Sequence, residues 1–283
     1  GVGAYLRPSE DTRRANVRFA AECLAFSNVP DATMTEALLA EGVMPGHHPR
    51  WKAGVPRDAA SGWDFEDVRD HYVRLLFGVD PTELRARDPE RYLALGRVAT
   101  GEAMLRTFAE WRRLGSACRG GLVWFARDLT IGAGWGVIDC TGRPKPAYWY
   151  LKRAFAPVAL FAVDEGLNGL WLHAVNDTKD PIDAKLHVSV FRHGRRQGTA
   201  MSTPLTIPAR NATSMHADAL FDGFRDLTYA YRFGPPQHDV VAATLRDRVT
   251  GDILAAAHGF PSRLPGMCDE GVIVREQGTI FLG

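Results

Sequence analysis

The sequence predicts two kinds of architecture in one chain, an α/β portion followed by an all-β portion. Three observations carry this. Residues up to Ala156-Pro157 alternate strand-like and helix-like segments. Residues from Leu160 onward alternate short strands with turns. A length of 283 residues suits two domains on the usual range of about 100 to 200 residues each. The expected domains are 1–157 and 158–283.

In the first portion, Val17 to Glu22 has period-two logic, which points Val17, Phe19 and Ala21 one way and Arg18, Ala20 and Glu22 the other. Glu22 then ends the strand on the inward face. Glu41 to Gly62 is polar and rich in Pro and Gly, too long for an ordinary connection, and reads as a functional or mobile loop. Asp64 can cap a helix that carries Val68, Tyr72, Leu75 and Leu76 and stops at Gly78. Asp80-Pro81 and Asp88-Pro89 are two further cap-then-Pro starts, the second opening a helix of about six turns that runs to Gly115. Leu122 to Asp128 is the second inner strand, with Leu122, Trp124, Ala126 and Asp128 on one face. A Pro-started helix from Pro146 closes a βαβα unit, which implies parallel neighbouring strands.

In the second portion, Gly169 to Val175 runs into Asn176-Asp177, and Ala184 to Phe191 into His193-Gly194, with Arg195-Arg196 read as part of that turn. Asp239 to Leu245 and Ile253 to His258 flank Thr250-Gly251-Asp252 as a hairpin. This spacing predicts a small antiparallel sandwich.

Composition narrows the function classes. The chain has 34 basic and 33 acidic residues and a formal charge of +1, without the one-signed block of a nucleic-acid or membrane-surface binder. A neutral substrate fits better. Cys23, Cys118, Cys140 and Cys268 are too widely spaced for a zinc site and read as buried, reduced thiols, which favours a cytoplasmic setting. No apolar run approaches the about 20 residues needed to span a bilayer. The chain starts at Gly1 in a loop-like segment, so upstream sequence is expected to be missing and the lack of a signal peptide carries no weight. No metal-ligand spacing or phosphate-binding glycine loop is present, and no metal or cofactor is expected; His47-His48 in a Pro/Gly loop reads as solvated.

The chemistry-bearing candidates lie at strand ends. Glu22 has the position for a nucleophilic carboxylate, and a loop salt bridge or cap is the alternative. Trp124 suits either core filling or a wall that stacks on the C–H face of a sugar. Asp128 can bond a ligand hydroxyl or cap the following loop. Trp135, flanked by two glycines, suits a pocket rim or a lid on the core. Glu102 falls on an apolar arc with Arg91 or Arg106 in reach and reads as structural.

The run Gly120-Gly121-Leu122-Val123-Trp124-Phe125-Ala126-Arg127-Asp128, then Gly134-Trp135-Gly136-Val137-Ile138-Asp139 and Gly142-Arg143-Pro144-Lys145-Pro146, resembles the last strand and helix of the catalytic barrel in glycoside hydrolase family 2. It is nearest the β-mannosidase branch. The likeness is most specific from Trp63 to Val158, and Tyr229 to Pro236 supports it further on. It implies the last two strands and helices of a (β/α)8 TIM barrel followed by an immunoglobulin-like β-sandwich. It also implies Glu22 as the nucleophile of a retaining exo-glycosidase, Trp124 and Asp128 in the terminal sugar subsite, and Trp135 at the rim. Tyr5 would come from the preceding loop, where its phenol either hydrogen-bonds the nucleophile or is an ordinary loop side chain. Glu22 to Pro30 departs from the family wording by lacking a glutamine after the aromatic and by one extra residue, and Phe125, Ala126 and Arg127 depart in the middle of the Trp-x-x-x-Asp motif.

The implied partners are a β-mannoside or related oligosaccharide and the upstream part of the same polypeptide, which holds the acid/base glutamate. A chain without that residue is expected to be inactive alone. The alternatives are a non-catalytic carbohydrate-binding or interaction fragment, or another family 2 exo-activity such as β-galactosidase or β-glucuronidase.

Overall fold

The computed structural model describes residues 11–261, 264, 273–275 and 279–281; Tyr5 and Cys268 lie outside the described residues. The chain divides into two compact units, one of residues 1–111 and 117–154 and the other of residues 112–116 and 155–283. No helix among the described residues is long and apolar enough to cross a membrane.

The first unit contains α1 (Asp11–Arg14), β1 (Ala20–Cys23), α2 (Ala32–Ala40), α3 (Pro49–Lys52), α4 (Phe65–Phe77), α5 (Pro81–Arg87), α6 (Pro89–Arg112), β2 (Gly121–Val123) and α7 (Pro146–Ala154). Local signals set most of these limits. Asp64 accepts from the Glu66 amide and Asp67 reaches back to the Asp64 amide, closing a capping box at the start of α4. Gly78 ends that helix in the left-handed region at φ 68°, where a side chain would be strained. Asp80 caps α5 through the Thr82 and Glu83 amides, and Pro81 and Pro89 occupy first helical positions that need no amide donor. Glu102 pairs with Arg106 one turn along α6.

The Glu41–Gly62 segment is largely loop, as expected, and several of its side chains are packed into the unit. It contains α3, and Val43, Trp51 and Val55 are buried. The Trp51 indole donates to Glu66 Oε1 at 2.9 Å, and Lys52 Nζ reaches Asp64 and Glu66 at 2.6 and 2.7 Å. Glu66 and Arg69 are both buried and paired at 2.7 Å, with Tyr92 donating to Asp70 beside them. A single Trp and a single Lys are enough to anchor a polar segment once a buried carboxylate is available. His48 accepts from the Arg50 amide at the start of α3.

β1 and β2 pair in parallel, with Ala20 opposite Gly121 and Cys23 opposite Val123. Three steps along β1 match two along β2, so the register is irregular between Ala20 and Cys23. This corrects the expected faces. A Cβ on Gly121 would meet Trp111, Ala20 and Cys23, which places those three together on the helix side. A Cβ on Gly120 would meet the Phe19 ring, so Phe19 lies on the opposite face and is 55% exposed. The irregularity reverses the alternation that a regular strand would have kept.

The second unit is β-rich and antiparallel. Its strands are β3 (Val158–Asp164), β4 (Leu170–Asn176), β5 (Ile182–Arg192), β6 (Arg195–Arg196), β7 (Met201–Ile207), β8 (Asn211–His216), β9 (Val240–Asp247), β10 (Ile253–Gly259), β11 (Ile273–Arg275) and β12 (Thr279–Phe281). One sheet runs β10-β9-β5-β6 with β7 also on β5, a second runs β3-β4-β8, and β11 pairs with β12. Alternate residues of both larger sheets, including Leu170, Leu172, Leu186, Val188, Val241 and Leu245, share one apolar core. Thr250-Gly251-Asp252 joins β9 to β10 as expected. Arg195-Arg196 is strand, paired with Arg192 and Phe191, and the turn is His193-Gly194 alone.

Candidate active site at the ends of the parallel strands

Glu22 is exposed, next to the last residue of β1, and its carboxylate has no partner among the described residues. Both Ala21 and Glu22 fall inside the register irregularity and both are exposed. Trp124 follows β2, and its amide donates to the Cys23 carbonyl at 2.8 Å. Trp124 is 41% exposed and Leu122, two residues earlier on the same face, is 59% exposed. The Trp124–Phe125 peptide bond is cis. Cys23 faces the other way, buried beside Cys118, and burial followed by that neighbour pushes its thiol up to about 12.

The chain after β2 forms a loop that returns to α7. Trp135 packs edge-on against Phe65, Trp124 and Phe125 with centroids 5.1, 6.0 and 6.3 Å away. Trp124, Phe125 and Trp135 therefore form one aromatic wall. Asp139 accepts from the amides of Thr141 and Arg143 and from the Thr141 hydroxyl, shaping the turn at Gly142 (φ 92°) that leads into Pro144 and Lys145.

Asp128 does not share the open face of Trp124. It is buried, ion-paired with Lys145, and accepts the Gly136 amide at 2.6 Å, so its carboxylate closes the loop around Trp135. A Cβ on Gly136 would lie 2.5 Å from the Asp128 amide nitrogen, which requires glycine there. Lys145, wholly buried, was not singled out from sequence; a Lys between two prolines carries no signal of burial.

The segment after Glu22 is clamped from several sides. Ser27 Oγ donates to the Ala133 carbonyl at 2.7 Å and Asn28 Nδ2 to the Trp135 carbonyl at 2.9 Å. Arg97 Nε donates to the Pro30 carbonyl at 2.7 Å. A hydrogen-bonded frame thus follows the strand that ends in an exposed carboxylate and carries an aromatic wall, a combination that suits a neutral ligand with C–H faces and hydroxyls.

No family model matches the chain. It is 34% identical over 101 residues to β-mannosidase B of Aspergillus niger and 32% identical over 101 residues to β-mannosidase B of Emericella nidulans. Each match covers 34% of this chain and 12% of the fungal enzyme. In fold, the chain superposes on the β-D-mannosidase of Dictyoglomus thermophilum with a TM-score of 0.72 at 18% identity, covering 94% of this chain and 30% of that one. The chain is similar to a C-terminal part of a family 2 β-mannosidase. The exo-chitosanase of Amycolatopsis orientalis has a related fold, with a TM-score of 0.58 at 13% identity over 82% of this chain and 26% of that chain. The chain spans about a third or less of each of these proteins.

Proposed function

We propose that this chain supplies the nucleophile and part of the terminal sugar subsite of a retaining exo-β-mannosidase. Its first unit would be the last two strands and helices of a TIM barrel, within the 1–157 domain, and its second an immunoglobulin-like sandwich, within 158–283. The observation that carries the reading is an exposed Glu22 at the C-terminal end of β1, next to Trp124 at the C-terminal end of the parallel β2. In parallel α/β barrels, chemistry gathers at that end of the strands.

Glu22 would attack the anomeric carbon of a terminal β-D-mannosyl residue, and water would then release the sugar with retained configuration. Trp124 and Trp135 would stack against the ring, and Tyr5 would approach the nucleophile. Asp128 acts on the sugar through the loop it closes. Retention requires a second carboxyl group about 5 to 5.5 Å from the nucleophile to protonate the leaving oxygen. That role is assigned to no described residue.

The test is labelling by 2-deoxy-2-fluoro-β-D-mannosyl fluoride, whose fluoride leaves without a general acid. The label should map to Glu22, on this chain or on a longer polypeptide that carries it. A label on Glu36 or Glu102 overturns the assignment. A second reading, carbohydrate binding without hydrolysis, draws on a different feature: Phe224, Tyr231 and Phe233 form an exposed aromatic cluster in the second unit, with centroids 5.2 and 5.9 Å apart. Sugar binding that Tyr231→Ala abolishes, with no label on Glu22, would favour it.

A further inference from the structure

An ammonium group is strongly hydrated, and burying one is costly unless other oxygens replace the water. The Lys145 side chain has no exposure, and its Nζ donates to the Asn28 carbonyl at 2.8 Å and the Gly134 carbonyl at 3.3 Å while pairing with Asp128. These partners come from three separate pieces of the first unit: the segment after β1, the segment after β2, and the loop that carries Trp135.

The other bonds at this junction run between the same pieces. The Asn28 amide donates to Gly134 O at 2.9 Å, Ser27 holds Ala133 O, and Asn28 Nδ2 holds Trp135 O. Every carbonyl from Ala133 to Trp135 therefore faces the Ser27-Asn28 segment, and Asp128 takes the next amide, that of Gly136. The Trp135 indole N–H is buried with no hydrogen-bond partner among the described residues. The ring is therefore placed by its backbone and its aromatic neighbours, not by its own polar atom.

We propose that Lys145 is a positioning residue: by joining Asn28, Gly134 and Asp128, its ammonium sets the Trp135 loop, and with it the Trp124–Trp135 wall, relative to the end of the Glu22 strand. The role in sugar binding rests on the glycosidase reading above. The tether itself does not.

Replacing Lys145 alone leaves a buried, unpaired carboxylate, so the informative variant is Lys145→Met with Asp128→Asn, which removes both charges and keeps an oxygen for the Gly136 amide. With 5-fluorotryptophan incorporated and the Trp135 signal assigned through Trp135→Phe, the double variant should shift that ¹⁹F resonance and broaden it at least about twofold, while the Trp171 resonance stays in place. A folded double variant with an unchanged Trp135 resonance overturns the proposal. The unmutated chain offers an independent measurement: Lys145 ammonium protons should exchange with water at least about a hundredfold more slowly than those of exposed Lys179. Equal exchange rates overturn the proposal whether or not the variant folds. If the Trp135 signal responds but Glu22 takes no mannosyl label, the tether stands and the glycosidase reading fails; the converse result removes the tether alone.

Discussion

The amide of Trp124 donates to the carbonyl of Cys23 at 2.8 Å, which fixes the first residue after β2 beside the residue that follows Glu22. One backbone hydrogen bond thus sets an exposed carboxylate and an exposed aromatic ring at the same end of two parallel strands. That relationship makes the first two predictions specific.

Glu22→Gln should abolish fluoromannosyl labelling. In a polypeptide that hydrolyses aryl β-mannosides, it should lower kcat by at least about a thousandfold. Since Glu22 is exposed and its carboxylate makes no hydrogen bond or ion pair among the described residues, stability should change by less than about 0.5 kcal/mol. Peptide mapping by mass spectrometry and a thermal melt check the two statements separately.

Trp124→Ala should weaken sugar binding about threefold to tenfold, as expected for an aromatic stacking contact of about 0.5 to 1.5 kcal/mol. Its half-open position means that the fold should survive. The reading calls for a rise in KM or Kd; an unchanged affinity in isothermal titration argues that this ring does not touch the sugar.

Glu66 carries a pH dependence. Burial alone pushes its carboxyl up, but Arg69 and Lys52 outweigh that and hold it at about 2, below its ordinary 4.5. A carboxyl with a depressed native pKa stabilises the fold fully above its unfolded value and loses that contribution as pH falls through the native one. Urea denaturation should therefore show stability falling between about pH 4.5 and 2, and Glu66→Gln should flatten that slope. At neutral pH the same variant takes away the nearer of the two carboxylates paired with Arg69, leaving Asp70 at 3.5 Å, and should cost about 1.5 to 3 kcal/mol.

Thiol accessibility is a further check. At pH 8, Cys140, which is partly exposed, should react with iodoacetamide well before Cys23 and Cys118, both buried. For Cys23 the raised thiol pKa adds to the steric protection. Site-resolved mass spectrometry of the timed reaction distinguishes the three, and early modification of Cys23 would show that the helix side of β1 opens readily.

By itself, the sequence was sufficient to locate the elements whose limits depend on neighbours along the chain. The caps at Asp64 and Asp80, the prolines that open α5 and α6, and the alternation of β4, β5, β9 and β10 are all effects of a few consecutive residues, where backbone sterics and orphan amides decide. It also pointed to Glu22 as a strand-end residue and to a parallel pairing between its strand and that of Trp124, although the second strand, expected to reach Asp128, stops at Val123 just before Trp124. Tertiary structure decided the rest. Phe19 and Ala20 exchanged faces because a register irregularity depends on the partner strand, about a hundred residues away. Side chains of the Glu41–Gly62 segment packed into the unit because Trp51 and Lys52 found Glu66, itself held by Arg69. Asp128 turned inward because Lys145 is buried beside it, and Lys145 is buried because a carbonyl 117 positions earlier replaces its water. Buried charge is a property of the surroundings that only the folded chain assembles, and no local pattern announces it.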